Sequence, residues 1–248
     1  MSEANFDVSA FVYAHRGLWG GDIPENSLRA FEAAANAGVG CELDVRVTAD
    51  QRLVVFHDAT LQRMCGRPER IVDLDLRAVR AILLPDGSVI PTLEEALAAM
   101  SGLPVLVELK TDGSRRGFDG NHAGIPALVA LLNSSEAPAA AMSFDEEAVA
   151  WLGSEVERRP IGQLIEPDEQ GDEGWAIAKA IRADQGPCSY LAPHVSVLAP
   201  ISEQFGHLPR VTWTVRTLPE LTAARASNAA LIFEGLSPAL VKSFANTI

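Results

Sequence analysis

The stretch Val105-Leu-Val-Glu-Leu-Lys110 sets a single glutamate among apolar residues and ends on a lysine. A short run that is apolar at successive positions is typical of a strand buried on both faces, as in a parallel sheet. Side chains alternate along a strand, so Glu108 and Lys110 share one face. Catalytic residues of (β/α)₈ barrels come from the C-terminal ends of such strands. This stretch therefore predicts a barrel strand that ends in functional side chains.

The same apolar character recurs along the whole chain. It predicts further strands at Phe11–Ala14, Cys41–Val45, Val54–Phe56, Ala140–Ser143, Pro160–Leu164, Ser189–Ala192, Val211–Val215 and Leu231–Phe233. Segments rich in Ala, Leu and Glu lie between them and predict helices at Ser27–Ala37, Leu74–Ile82, Thr92–Met100, Pro126–Leu132, Glu146–Leu152, Glu173–Ile181 and Leu218–Ser227. Alternating strands and helices indicate βαβ units. With Cys41–Phe56 counted as one strand with a hairpin-like extension, the 248 residues predict a single α/β domain, a (β/α)₈ TIM barrel over 1–248.

Composition excludes several classes of protein. The formal net charge of −13 argues against a nucleic-acid partner, because nucleic-acid binders usually present a basic face. No apolar run reaches the roughly 18 residues of a membrane span, and the N-terminus lacks a signal-peptide pattern. The three cysteines, Cys41, Cys65 and Cys188, have no spacing typical of disulfide frameworks or zinc sites. We therefore expect a cytoplasmic protein without stable membrane association.

Two carboxylates in Cys41-Glu-Leu-Asp-Val45 are candidate metal ligands. Alternation places Glu42 and Asp44 on the same face of the predicted strand. Two carboxylates on one buried face repel each other unless they are protonated or share a cation, and hard divalent cations prefer oxygen ligands. Glu108 can complete a three-carboxylate site. On their own, these acids could equally be solvated, or Glu108 could pair with Lys110.

Two histidines follow predicted strands, at Ala14-His-Arg-Gly17 and Phe56-His-Asp58. Histidine titrates near neutral pH, so His15 and His57 can share general acid and base roles. Arg16 can bind a phosphate with two hydrogen bonds. If only one of these two residues were present, it would be interpreted as a structural histidine. That interpretation is kept for His122, His194 and His207, of which only His194 is a candidate for the rim of a site.

These residues belong to a longer pattern. Its pieces are Ala14-His-Arg-Gly17, Pro24-Glu-Asn-Ser27, Ala30-Phe31, Glu42-Leu-Asp44, Thr48, His57-Asp58 with Leu61 and Arg63, Ile90-Pro-Thr-Leu93, Glu108-Leu-Lys110, Ser143-Phe-Asp145 and Trp213-Thr-Val215. In order and spacing the pattern resembles the glycerophosphodiester phosphodiesterase family over roughly residues 11 to 240. The short segment between His57 and Glu94 is similar to compact cytoplasmic members of that family.

The resemblance implies a barrel of the phospholipase-C-like phosphodiesterase type that hydrolyses glycerophosphodiesters to an alcohol and glycerol 3-phosphate, within lipid and glycerol metabolism. It implies one Mg²⁺ or Ca²⁺ ion. The positions that match are Glu42, Asp44 and Glu108 as metal ligands, His15 and His57 as acid and base, Arg16 and Lys110 as phosphate contacts, Glu25 and Asn26 as a polar pair beside the site, and Trp213 as a substrate-binding aromatic residue. The order of the two histidine roles and the nucleophile, water or the substrate's 2-hydroxyl, stay open.

The chain departs from the family pattern at the rim of the predicted pocket. Arg216 stands where Asn often follows Trp-Thr-Val, Glu234 stands near the usual Asp, and Met-Cys-Gly-Arg follows Arg63. These changes leave the alcohol group of the substrate undetermined. A lysophospholipase D-type activity on the same barrel is an alternative, as are a non-catalytic phosphate-binding barrel and a metal-independent enzyme that uses Glu108 and Lys110.

Two loops complete the predictions. The loop Thr111–Gly120 follows the Glu108 strand, and we expect Arg115 or Arg116 and Phe118 to border the alcohol side of the pocket, unless the loop is plainly mobile. The acidic stretch Glu166–Gly174 is predicted to be a hydrated rim rather than a second metal site, because charge runs are usually solvated.

Overall fold

The strands curl into a nearly closed barrel. In this computed structural model, which describes residues 7–111 and 122–245, the strands are β1 Val12–His15, β2 Gly40–Val47, β3 Leu53–Val55, β4 Val105–Leu109, β5 Ala139–Ser143, β6 Ile161–Ile165, β7 Tyr190–Pro193, β8 Val211–Val215 and β9 Ala230–Phe233. Apart from β3, they are parallel in the order β7-β6-β5-β4-β2-β1-β9-β8. Parallel bridges between residues 191 and 210 and between 194 and 213 join β7 to β8. The predicted TIM barrel is confirmed.

The strand β3 lies outside the barrel wall. It pairs antiparallel with the end of β2, with Val45 opposite Val55 and Val47 opposite Leu53. This is the hairpin-like extension that the sequence predicts over Cys41–Phe56. It carries His57, which follows β3, back toward the C-terminal end of β2, where Asp44 lies.

Helices follow the barrel strands on the outside. They are α1 Leu28–Asn36, α2 Gln62–Cys65, α3 Leu76–Arg80, α4 Leu93–Ala99, α5 Gly124–Ser134, α6 Glu146–Glu155, α7 Glu173–Asp184, α8 Leu198–Gln204, α9 Leu218–Ala226 and α10 Pro238–Ala245. The sequence predicts all of these except α2, α8 and α10. None of the helices among the described residues is long and apolar enough to cross a membrane.

Several helices begin at a side-chain cap. The Ser27 side chain accepts a hydrogen bond from the Ala30 amide at the start of α1. Thr92 with Glu95 on α4, and Thr217 with Glu220 on α9, form reciprocal capping boxes. Each cap satisfies backbone amides that have no partner within the helix, so these residues define where the chain leaves the loop and enters the helix.

Two tyrosines fill the lower part of the barrel interior. Tyr13 and Tyr190 are fully buried, and their hydroxyls donate to the carbonyls of Val8 at 2.8 Å and Ala141 at 3.2 Å. A Cβ atom on Gly162 would lie 2.2 Å from the Tyr190 ring, so glycine makes room for this side chain. Polar side chains then occupy the interior above the tyrosines.

Candidate active site

Three carboxylates meet inside the barrel. Glu42 and Asp44 lie on one face of β2, and the register pairs Asp44 with Glu108 of β4. One oxygen atom from each side chain lies within 4.8 Å of the others, and among the described residues no other group of acidic, histidine or cysteine side chains meets this criterion. All three side chains are buried, with at most 7% of each residue exposed. The structure therefore brings the three predicted metal ligands together.

Lys110 and Arg16 partly balance this charge. The Lys110 ammonium lies 3.0 Å from Asp44 Oδ1 and also contacts Glu108, while Arg16 Nε lies 3.2 Å from Asp44 Oδ2. Burial raises the pKa of Asp44, but the two cations outweigh it and hold that pKa far below its usual range. Burial raises the pKa of both Glu42 and Glu108, with help from the neighbouring carboxylates. The cluster thus has an incomplete complement of positive charge.

A divalent cation fits these ligands. Glu108 Oε1 is buried and contacts the Lys110 ammonium, with no neutral hydrogen-bond donor beside it among the described residues. Asp44 is held in place by Asn26, whose Nδ2 donates to Asp44 Oδ2 at 2.8 Å. The oriented Asp44, together with Glu42 and Glu108, whose pKa is raised by burial, offers the oxygen ligands that a hard cation prefers.

His15 lies at the end of β1 beside the cluster. Its Nδ1 lies 2.6 Å from Glu234 Oε2, and its Nε2 lies 4.0 Å from Glu42 Oε2. The chain turns sharply after it, with a φ of 57° at Arg16 and 81° at Gly17, and the Arg16 amide donates to Glu42 Oε2 at 3.1 Å. A Cβ on Gly17 would lie 2.8 Å from the Ala30 backbone, so this turn depends on glycine.

His57 lies on the other side of Asp44. Its Nδ1 lies 2.7 Å from Asp58 Oδ1, and Arg63 Nε donates to Asp58 Oδ2 at 2.6 Å. Burial opposes the ionisation of Asp58, but the bonds from Arg63 and His57 outweigh it and lower the Asp58 pKa. Burial lowers the pKa of His57, which favours its neutral form. A neutral, oriented imidazole can take up a proton.

Glu25 connects the two sides of the site. Arg16 Nη1 donates to its carboxylate at 2.9 Å, and Arg63 donates to the same carboxylate at 2.6 Å and 3.2 Å. The Glu25 pKa is lowered because these arginines outweigh its burial. The predicted substrate residue Glu25 is therefore bonded to two arginines in this structure.

A cavity of about 1170 Å³ opens above the cluster. Its lining includes seven of the predicted site residues, namely His15, Arg16, Glu42, His57, Glu108, Lys110 and Trp213. Trp213 packs edge-to-face on Phe144 and His194, with ring centroids 5.5 Å and 4.8 Å apart, and its indole donates to the Ala192 carbonyl at 2.7 Å. One wall of the cavity is thus aromatic.

The remaining sequence predictions fall in different places. Acidic residues of the 166–174 stretch line the cavity mouth, in agreement with a rim. His194 borders the cavity, whereas His122 and His207 pair with Asp145 and Asp184. Arg115, Arg116 and Phe118 lie outside the described residues.

Sequence reasoning missed the residues that orient the histidines. It gave no role to Asp58 and Arg63, and it named Arg216 and Glu234 only as departures from the family pattern. It also missed Lys179, a buried lysine of α7 that lines the cavity and donates to the Phe144 carbonyl at 2.7 Å. Asp58, which directly follows His57, was the one signal available in the sequence.

Comparison with known proteins identifies the family. The model of the glycerophosphoryl diester phosphodiesterase family matches residues 15–230. The chain belongs to this family.

A glycerophosphodiester phosphodiesterase of Bacillus altitudinis is 36% identical over 110 residues, which make up 40% of this chain and 44% of that protein. Glycerophosphodiester phosphodiesterase 1 of Homo sapiens is 38% identical over 96 residues, 34% of this chain and 28% of that protein. The chain spans less than half the length of the curated relatives it matches.

Solved structures of the family have the same fold. A glycerophosphodiester phosphodiesterase from Parabacteroides distasonis has a TM-score of 0.76 at 21% identity and covers 96% of this chain and 97% of its own. A phosphodiesterase from Oleispira antarctica, in complex with the product sn-glycerol-3-phosphate, has a TM-score of 0.78 at 22% identity. The match covers 95% of this chain and 96% of that one. At these identities the similarity establishes the barrel alone.

Proposed function

We propose that this protein is a single-domain, metal-dependent hydrolase that cleaves glycerophosphodiesters to an alcohol and glycerol 3-phosphate. The observation that carries the proposal is the meeting of three buried carboxylates and two carboxylate-bound histidines at one cavity in a member of this family. The product in the Oleispira antarctica neighbour supports the choice of glycerol 3-phosphate.

Glu42, Asp44 and Glu108 would hold one divalent cation, Mg²⁺ or Ca²⁺. When bound, such a cation neutralises the phosphoryl oxygens and stabilises the charge that develops on them. Asn26 holds Asp44 in its place in the carboxylate cluster. Lys110 and Arg16, which lie against the same carboxylates, would contact a phosphate bound beside the cluster.

The two histidines transfer the protons. Asp58 and Glu234 hold the Nδ1 atoms of His57 and His15, so the Nε2 atoms are left to exchange protons with the substrate. One histidine takes the proton of the nucleophile, water or the substrate's 2-hydroxyl, and the other gives a proton to the leaving alkoxide. Attack by the 2-hydroxyl forms a cyclic phosphate, which a water molecule then opens to glycerol 3-phosphate. Such proton transfer contributes roughly 10²–10⁴-fold to rate. Positioning supplies much of the rest.

The other cavity residues bind the substrate. Arg16 and Lys110 neutralise the non-bridging phosphate oxygens, and Glu25 acts on the substrate through its bond to Arg16. The Trp213 ring packs on the carbon atoms of the glycerol moiety.

We also propose a reducing compartment such as the cytoplasm, because Cys41, Cys65 and Cys188 are free thiols.

A substrate panel tests the proposed function. Glycerophosphodiesters of choline, ethanolamine, inositol and glycerol are assayed for release of glycerol 3-phosphate, and a lysophospholipid, as the competing class, is assayed for release of lysophosphatidic acid. Each assay is run after chelation and again after addition of Mg²⁺ or Ca²⁺. We expect release that disappears on chelation and returns with the metal, and a loss of at least about 100-fold in H15A and H57A.

Three results would overturn the proposal. These are no glycerol 3-phosphate from any diester, full activity after exhaustive chelation, or near-normal turnover in either histidine variant. H207A is the matched control, because His207 is an exposed histidine paired with Asp184, remote from the cavity lining.

A further inference from the structure

Two departures from the family pattern contact one another beside His15. Arg216 follows β8 and Glu234 follows β9, the neighbouring strand. Arg216 Nη2 donates to Glu234 Oε2 at 3.1 Å, and Arg216 Nε donates to Oε1 at 3.3 Å. The same Oε2 atom lies 2.6 Å from His15 Nδ1. Arg216 and Glu234 thus form one bonded pair that contacts a single histidine.

We propose that Glu234, clamped by Arg216, is a positioning residue that fixes the ring orientation and the tautomer of His15. In this arrangement the Nδ1 atom of His15 carries the hydrogen, and the Nε2 atom is presented to the reacting atoms. The role rests on the proposed function, since it matters for turnover only if His15 transfers a proton. The orientation of the ring itself can be measured without turnover.

The chemistry of the contact determines which atom donates. Hydrogen bonds from His15 and Arg216 lower the pKa of Glu234 to about 2, so its carboxylate carries no proton near neutrality and can only accept. His15 Nδ1 must then be the donor. His15 Nε2 lies 4.0 Å from Glu42 Oε2, beyond hydrogen-bond distance, and faces the carboxylate cluster. Without a carboxylate at Nδ1, an imidazole in water prefers the opposite tautomer.

His57 is held in the same way from the other side of the site. Its Nδ1 contacts Asp58, and Arg63 binds both oxygens of that carboxylate at 2.6 Å and 3.2 Å. Each histidine therefore lies at the end of a chain of one carboxylate and one arginine. The His57 chain is local in sequence, while the His15 chain spans a separation of 219 residues.

Geometry also explains why the Glu234 carboxylate needs Arg216 to hold it. The Glu234 side chain has one more methylene than an aspartate would have, and this extra torsion gives the carboxylate more freedom. A guanidinium that donates two nearly parallel bonds restricts that freedom. Arg216 itself is half exposed, with 52% of its side chain accessible, so it acts through Glu234 and contributes less than the carboxylate does.

Kinetics of four variants test the role. Loss of a residue that orients a catalytic ligand typically costs about 10–100-fold, so we expect E234Q to lower kcat by that factor with little change in KM. E234D keeps the charge and should retain more activity than E234Q. R216A should cost about two- to fivefold, as for a half-exposed ion pair. The double variant R216A/E234Q should be no slower than E234Q, because Arg216 acts through Glu234.

Nitrogen-15 NMR of the histidine side chains gives the decisive readout. The protein is compared with and without Mg²⁺, and E203Q, which changes an exposed glutamate of α8, is the control for folding. We expect His15 to carry its hydrogen on Nδ1 in the wild type and E203Q and to shift toward Nε2 in E234Q. D58N should shift the tautomer of His57 but leave that of His15 unchanged.

An unchanged His15 tautomer in E234Q would overturn the proposal, as would equal kcat in E234Q and the wild type. A double variant that multiplies the two single losses would also overturn the clamp. If the wild type released no glycerol 3-phosphate, the proposed function would fail, while the tautomer of His15 would still decide this inference.

Discussion

The Lys110 ammonium is largely buried and contacts two of the three clustered carboxylates. Burial favours its neutral form, yet Asp44 and Glu108 outweigh burial and raise its pKa. This one side chain joins the ends of β2 and β4 by charge. We therefore regard it as part of the charge balance of the carboxylate cluster.

Replacing Lys110 should make folding depend on metal. In K110M the buried carboxylates lose their shared cation, and removing one partner of a buried ion pair costs about 3–5 kcal/mol. We expect the free energy of unfolding, measured by urea denaturation at pH 8 with chelator, to fall by about that amount. Added Ca²⁺ should recover more stability in K110M than in the wild type.

K179M is the matched control, because Lys179 is also buried but bonds a backbone carbonyl rather than a carboxylate. Burial lowers the Lys179 pKa, so its removal relieves an unfavourable ammonium. The interpretation of Lys110 fails if K179M loses as much stability or gains as much from Ca²⁺.

At the scale of single residues, the sequence predicts which residues form the site but not which side chains they bond. Glu42 and Asp44 follow from strand alternation, and Glu108 follows from its place at a strand end. The bond from His15 to Glu234 does not, because it joins positions 219 residues apart. It exists only because β1 and β9 are neighbours in the closed barrel.

At the scale of elements, the pairing of Gly162 on β6 with Tyr190 on β7 fixes the lower layer of the barrel. The two residues are register partners, and the tyrosine ring occupies the space above the glycine. An added methyl group has to push on a ring that is fully buried and bonded to the Ala141 carbonyl.

We expect G162A to destabilise the protein by about 1–3 kcal/mol, the usual cost of overpacking a core. Urea denaturation measures this loss. G186A is the control, because a Cβ on Gly186 would meet only ordinary contacts of 3.4 Å and 3.5 Å. Equal stability of G162A and the wild type would mean that the tyrosine layer is not tightly packed.

Two of the three helices that the sequence does not predict, α2 and α8, share a physical cause. The helices α2 and α8 are short, with four and seven residues, and isolated helices of this length are unstable in water. Packing stabilises α8 instead, through buried Leu198 and Ile201. Such tertiary stabilisation leaves little local pattern in the sequence, whereas α1, α4 and α9 begin at side-chain caps that mark their starts.

At the scale of the whole molecule, the negative charge at the cavity mouth affects how a charged substrate approaches. The protein has a net charge of −13, and the lining of its cavity includes Glu147, Glu166, Asp168 and Glu169. A substrate with a net negative charge must approach against this field. A zwitterionic substrate has no net charge and is repelled much less by this field. The salt concentration should therefore affect the two kinds of substrate differently.

Raising the ionic strength should favour the anionic substrate. Between 0.01 M and 0.15 M salt the Debye length falls from about 30 Å to about 8 Å. We expect kcat/KM for glycerophosphoglycerol, measured at saturating metal, to rise severalfold over this range. Glycerophosphocholine, which has no net charge, is the control and should change little. A fall of kcat/KM for glycerophosphoglycerol would mean that the bound cation, rather than the acidic mouth, governs approach.

The closure of the barrel through β1 and β9 has a consequence for synthesis. His15 emerges from the ribosome shortly before the carboxylates of β2, and Glu108 of β4 follows, but its partner Glu234 lies 219 residues further along the chain. A nascent chain can thus contain all three clustered carboxylates long before its first histidine is oriented. Turnover on ribosome-bound chains of increasing length would therefore appear late and abruptly, after β9 has emerged, rather than grow with each added strand.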